Sequence, residues 1–219
     1  MSSTRRIPLF PLGTALFPES VMPLHIFEPR YRQLVQDIID RPEQDQAFGV
    51  VAIRQGHEVG ADGVKALYEV GCMAHLRGIQ PYPDGRFDII TVGTSRFHLR
   101  ALQTDEPYLT ADVDDISEDL GEDPGPVGAL VRHRFEQYRE IVQIEDEPDE
   151  LPADPGSLAW TVAAGMLLDL EERQRLLAAD DTTTRLRVER ELLHRELGIL
   201  ATLPSLPAFD LARLPMSAN

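Results

Sequence analysis

Apolar positions change their spacing halfway along the chain. Residues 5–27, RRIPLFPLGTALFPESVMPLHIF, are densely apolar and interrupted by prolines at 8, 11, 18 and 23. Proline fixes φ and donates no backbone hydrogen bond, so this stretch predicts short strands joined by tight bends. Glu28-Pro29-Arg30-Tyr31 then opens a helix, with Pro29 suited to its first position. Tyr31, Leu34, Val35, Ile38 and Ile39 recur at helical spacing up to Asp40, and Pro42 bars continuation. Residues 48–54 read as a strand, followed by a loop carrying Gly56, Gly60 and Gly63. Residues 67–77, 87–92, 95–102 and 108–116 read as four more strands, with Pro83-Asp84-Gly85 as a turn signal between two of them. Several short strands with one early helix predict a compact, barrel-like β domain.

The second half has helical spacing. After the linker SEDLGEDPGP at 117–126, Val127, Leu130, Val131, Tyr138, Ile141 and Val142 mark one face of a long helix. An acidic, proline-bearing break at 145–156 follows. Ser157 reads as the N-cap of a helix through residue 168. Asp169 and Glu172 have capping-box spacing and open a short helix through residue 179. Thr182 or Thr183 opens the last helix, with Leu186, Leu193, Leu197 and Leu200 inward. These stripes need apolar partners, so the helices should bundle with one another and dock on the β half. The organisation expected is α+β: residues 1–117 β-rich, 126–201 a helical bundle, and 202–219 a proline-containing tail.

Charge narrows the partners. The 219-residue chain carries a net charge of −16 and has a pI near 4.7. Residues 1–105 are almost balanced, with 11 basic and 12 acidic side chains; residues 106–219 hold 10 basic and 25 acidic ones. Nucleic-acid binders displace counterions with a basic face, so general nucleic-acid binding is not expected, and anionic membrane is disfavoured for the same reason. No apolar run is long enough for a membrane helix and no secretory leader is read at the N-terminus, which makes the cytoplasm the expected location. Lys65 is the only lysine and Cys72 the only cysteine. No internal disulfide can form.

Ordered segments along residues 5–200 carry a family resemblance. IPLFPLGTALFPESVMPLHIFEPRY, with its core PLHIFEPRY, is followed by VGCMAHL at 70–76, PDGRFDIITVGTSRF at 83–97 and PYLTADV at 107–113. The helical half beginning LPADPGSLAWTVAAGMLLDLEERQRLL comes next. The sequence resembles the amino-terminal, substrate-binding domain of Lon protease, as found in small stand-alone proteins. The resemblance implies a PUA-like pseudo-β-barrel of about six strands with one helix, followed by a C-terminal helical bundle. It also implies a role in holding unfolded or degron-bearing polypeptides, alone or for a separate protease. Full Lon adds an ATPase and a serine–lysine protease. No phosphate loop ending in Lys-Ser or Lys-Thr is present, and Lys65 sits in GADGVKALYE, unlike the Lon catalytic segment. A non-catalytic module without cofactor is therefore expected. The alternative is a PUA-like RNA- or small-molecule-binding regulator, which would require a basic groove on the β half.

The candidate residues follow from this reading. Cys72 lies in a strand without basic neighbours in sequence and reads as a buried, inert thiol. The six histidines show no zinc-ligand spacing, so no metal is expected. Leu12, Phe17, Met22 and Leu24 are the candidates for polypeptide contact; Phe17 and Met22 flank Pro18-Glu19-Ser20 and read as exposed loop residues. Strand edges offer a second mode, pairing with an extended peptide. Glu28, Arg30, Tyr31 and Arg96 form the structural signature. Glu28 is expected to cap the first helix or to pair with Arg96.

Overall fold

The computed structural model describes residues 4–56, 64–104, 106–143 and 150–202. The glycine loop around Gly60, part of the acidic break and the tail from residue 203 lie outside the described residues. The described chain runs β1 (Arg5–Leu12), β2 (Val21–Ile26), α1 (Pro29–Ile39), β3 (Ala47–Gly56), β4 (Val64–Leu67), β5 (Val70–Pro81), β6 (Phe87–Gln103), β7 (Thr110–Asp115), α2 (Pro124–Val142), α3 (Pro155–Gly165), α4 (Leu170–Leu177) and α5 (Thr182–Thr202). A mostly antiparallel sheet with five α-helices gives the α+β class.

Five strands close a ring in the order β1-β7-β6-β5-β3, and β1 makes the closure. Its first half, Arg5–Pro8, pairs antiparallel with β7. Its second half, Leu9–Leu12, pairs parallel with β3. β2 hangs from the first part of β6, and β4 from the end of β3. The strands expected at 87–92 and 95–102 are one continuous β6, whose ladder to β5 shifts register around Gly93 rather than breaking. The strand expected at 67–77 is instead the end of β4 and most of β5. Seven strands therefore stand where about six were expected.

The ring interior is filled by Ile7, Leu9, Ala47, Val51, Met73, Phe97, Ala111 and Val113. Phe97 sets the fit: a Cβ on Gly71 would lie 2.4 Å from its ring. Only glycine allows that approach. Gly85, at φ +81°, completes the β5–β6 turn at Pro83-Asp84-Gly85.

Helix starts follow local chemistry. Asp169 and Glu172 form the expected capping box at α4. α3 starts earlier than expected: Asp154 is the N-cap and accepts from the Ser157 backbone N–H, with Pro155 at the first helical position. α5 packs against α2 and α3. The main apolar core is continuous across both halves, joining Phe10, Tyr31 and Phe48 to Phe135, Trp160 and Leu193.

One buried cation fastens sheet to helices. Arg96, on β6, is 1 % exposed. It donates from Nε and Nη2 to the Glu118 carboxylate at 2.5 and 3.2 Å, and from Nη1 to the Leu177 and Ala179 carbonyls at 2.7 and 2.6 Å. Those carbonyls end α4, where unpaired acceptors and the helix dipole favour a cation. Arg185, on α5, donates to the Leu176 carbonyl and stacks 3.3 Å from the centre of the Trp160 ring. Burial, with Arg96 nearby, pushes the Arg185 guanidinium down to about 10, so it remains charged at neutral pH.

Two predictions follow from this junction. Arg96→Leu strands the Leu177 and Ala179 carbonyls. The expected loss is about 3 kcal/mol, at the low end for a broken buried pair because Glu118 is 41 % exposed and can turn to water. Urea unfolding followed by emission of Trp160, the only tryptophan, measures it. Glu189 is fully buried, and burial raises its carboxyl well above its ordinary value. The folded state thus holds a proton that the unfolded state releases above about 4.5, so wild-type stability falls as pH rises beyond that value. Glu189→Gln, which mimics the protonated form, should gain a few degrees of relative Tm between pH 5 and pH 8. Parallel Tm profiles would contradict this account.

Candidate functional site

The slot between β1, β2 and α1 is built from the first proline-broken segment. Phe10 and Leu12 come from β1, Leu24 and Ile26 from β2, Phe27 from the connection and Tyr31 from α1. They line an apolar hollow of about 140 Å³. Phe10 stacks on Tyr31 at 4.0 Å and meets Phe48 at 5.7 Å, which fixes the floor. Arg30 lies 4.5 Å over the Tyr31 ring and pairs with Glu28 at 2.9 Å. This trio forms the polar end of an otherwise apolar wall.

β2 forms the slot's lip. Among the described residues it pairs with β6 alone, so its second edge carries no ladder. Pro23 sits mid-strand, a position proline tolerates where no ladder bond is needed. Alternate residues turn outward. Val21 and Phe27 are 66 % and 50 % exposed, and Ile90 on the neighbouring strand, opposite Pro23, is 49 % exposed. Of these, Phe27 lines the hollow itself, and Val21 and Ile90 are exposed apolar side chains farther along the β2–β6 pair.

A polar clasp holds the outer end of this lip. Asp88 accepts from the Tyr82 hydroxyl at 2.5 Å and pairs with His25 Nδ1 at 2.6 Å. Those two bonds hold the Asp88 carboxyl below its usual range, and the same carboxylate raises the Tyr82 hydroxyl. Arg86 lies 5.5 Å from the Tyr82 ring, and Phe27 stacks near His25 at 6.1 Å. The clasp ties β2 to the β5–β6 turn. Its groups are all engaged with one another, which suits positioning rather than proton transfer.

The sequence-predicted residues divide. Leu12 and Leu24 line the slot, Leu12 buried and Leu24 half-buried. Met22 is not in a loop: it lies within β2, half-buried against the main core. Phe17 is a correction. It is fully buried, 6.0 Å from the Trp160 ring, with the Arg173 guanidinium 4.7 Å over its own ring. The bend at Pro18 turns it inward onto α3 and α4. Glu28 is the N-cap of α1, but its side chain makes no capping bond and pairs with Arg30 instead of Arg96. Arg96 turns to the helices, as described above. Glu28, Arg30 and Tyr31 are therefore brought together at the slot, while Arg96 serves the junction. The exposed Val21 and Ile90 were missed. Period-2 alternation in VMPLHI was the available signal for Val21, obscured by Pro23.

Other groups offer less. Cys72 is buried and burial raises its thiol to about 12. Among the described residues no group of three or more His, Cys, Asp or Glu side chains is placed to hold a metal ion. No described helix is long and apolar enough to cross a membrane.

The fold, a mostly antiparallel strand ring joined to a helical half, is shared with solved Lon N-terminal domains. The Lon N-terminal domain protein from Xanthomonas campestris superposes with a TM-score of 0.61 at 23% identity, covering 91% of this chain and 99% of that one. The N-terminal domain of the Mycobacterium avium complex Lon protease gives 0.61 at 20% identity, covering 87% and 98%. Residues 6–195 match the ATP-dependent protease La (LON) substrate-binding domain, and the chain belongs to that family. Lon protease 2 of Myxococcus xanthus is 29% identical over 205 residues, 89% of this chain and 24% of that protein. Lon protease of Anaeromyxobacter dehalogenans is 28% identical over 205 residues, with the same coverage. The chain spans about a quarter of the length of the curated relatives it matches.

Phe17→Ser should cost about 3 kcal/mol of stability or more, because it opens a cavity beside Trp160 and places a hydroxyl in it. Thermal unfolding checks this; an unchanged Tm would mean that Phe17 is not the wedge its burial indicates.

Proposed function

We propose that this chain binds extended, apolar segments of polypeptide, without chemistry of its own. The carrying observation is the apolar slot of about 140 Å³ opening beside the unladdered edge of β2, with Phe27 half-exposed on its wall and Val21 and Ile90 exposed farther along the β2–β6 pair. An extended segment would lie along β2, its backbone pairing with the free edge and alternate side chains entering the slot. Pro23 removes one donor from that edge, so the apolar contacts carry more of the affinity than backbone pairing does. Membership of a substrate-binding domain family supports the reading. Leu12 and Leu24 remain proposed contacts; Met22 packs on the main core from β2, and Phe17 lies against α3 and α4, away from the slot.

Partners would be unfolded or degron-bearing polypeptides, held for a protease module on the same or a separate chain. The cytoplasm is the compartment where such clients arise. The strand ring and helical half are read as a PUA-like barrel and a bundle serving this role.

Fluorescence anisotropy of a labelled, permanently unfolded protein tests it at two salt concentrations. Saturable binding that survives added salt is expected. Phe27→Ser with Leu24→Ser should weaken it at least tenfold while Tm moves little, since both side chains are partly solvated. Equal affinity for the double variant would remove the slot from the contact surface.

A further inference from the structure

The other end of β1 carries a second hollow of opposite character. It measures about 420 Å³ and is walled mostly by polar groups. Arg5 and Arg6 of β1, Arg41 after α1, and His75 of β5 are its basic lining. Ile7, Ala47 and Met73, from three ring strands, form its floor and belong to the core inside the ring. Ser95 of β6 adds a hydroxyl. Four of the five ring strands thus contribute, so the hollow is one mouth of the ring. Mouths of closed sheets are common ligand sites, and the volume falls within the range of small-molecule pockets.

The charge here runs against the rest of the molecule. The chain carries −16 overall, yet this lining offers three guanidiniums against one carboxylate, Asp45. Arg5 and Arg6 are held from outside by Asp115 and Asp112, at 2.7 and 3.0 Å. These ion pairs are solvent-exposed and worth little, so an incoming anion can draw on the same guanidiniums. The Arg41 charge is felt at Tyr108, whose hydroxyl donates to Asp37. Burial is the main cause that lowers the His75 pKa; Arg77 and Arg5 lower it further, and Asp45 opposes them. At physiological ionic strength the Debye length is about 8 Å, so the nearby carboxylates Asp45, Asp112 and Asp115, and not the remoter acidic residues, are what offset these guanidiniums.

We propose that the ring mouth binds a phosphorylated small molecule of nucleotide size. Arg41 holds the phosphate together with Arg5 and Arg6, and the organic part rests on Ile7 and Met73. Arginine suits this task because its planar fork presents paired donors to phosphate oxygens. A bare phosphate would leave most of the hollow empty, which is why an organic phosphate is the expected class. The site is independent of the polypeptide slot, which is formed by the opposite end of β1.

Isothermal titration with adenosine monophosphate tests the proposal, with inorganic phosphate, adenosine and a single-stranded RNA oligonucleotide as comparison arms. One saturable site for the monophosphate is expected, weakened by added salt, with adenosine and inorganic phosphate each at least tenfold weaker. Arg41→Ala should lower affinity at least tenfold, while Arg100→Ala, which removes the same charge outside the hollow, should change it less than twofold. In the wild-type protein, the NMR-detected pKa of His75 should rise on adding the monophosphate; this readout needs no variant to fold. No saturation, equal binding of adenosine, equal effects of the two arginine variants, an unmoved His75, or binding of the oligonucleotide alone would each overturn it.

Discussion

A guanidinium that is almost wholly removed from water must find acceptors, and the architecture is arranged around that demand. Arg96 leaves the sheet and meets Glu118 just beyond β7, then the last carbonyls of α4. Each of these groups would be costly to bury alone. Together they satisfy both the cation and the helix end. Trp160 lies with Arg185 at 3.3 Å and Arg96 at 5.5 Å from its ring, so α3 and α5 join the same junction through cation–π contact. The apolar core then closes around it. Helix placement is thereby referred to one residue on the longest strand.

That fastening leaves the first segment free to shape the proposed binding slot. β1 is consumed by ring closure, its halves pairing with different strands on different terms. β2 is left with one partner, and the gap between them is the slot. A continuous ladder from β1 to β2 would have filled that gap with backbone. Prolines on either side favour the interruption, since Pro11, Pro18 and Pro23 each remove a donor that a ladder would require. The two ends of β1 thus differ: aromatic and aliphatic at one, cationic at the other.

Local chemistry was legible where it was complete in sequence. Pro29 and the spacing from Tyr31 to Ile39 placed α1, Asp169 with Glu172 placed α4, and Pro83-Asp84-Gly85 placed the β5–β6 turn. PLHIFEPRY and the segments after it carried the family. Burial of particular side chains was less legible, because it depends on groups far along the chain. Phe17 sits beside a turn, and only Trp160 and Arg173, more than 140 residues later, make its position interior. Arg96 and Glu28 both looked available to each other; α4, not α1, supplied the acceptors. β6 looked like two strands because Gly93-Thr94-Ser95 resembles a turn; in the structure the β5 ladder passes this point with a register shift, from Gly93↔Ala74 to Arg96↔Cys72. At α3 the sequence pointed to Ser157 as the N-cap, whereas Asp154 takes that place and Pro155 suits the earlier start.

Cys72 carries a practical consequence. The only thiol of the chain is interior to β5 and strongly held in its protonated form. Maleimide and nitroxide reagents require an accessible thiolate, so the native cysteine is silent toward them while the fold is intact. A cysteine introduced at Val21 on the slot's lip, or at Ser95 in the ring mouth, would be the sole labelled site, with no need to delete the natural one. Occupancy of the two hollows could then be followed separately by spin or dye labels on an otherwise unaltered chain.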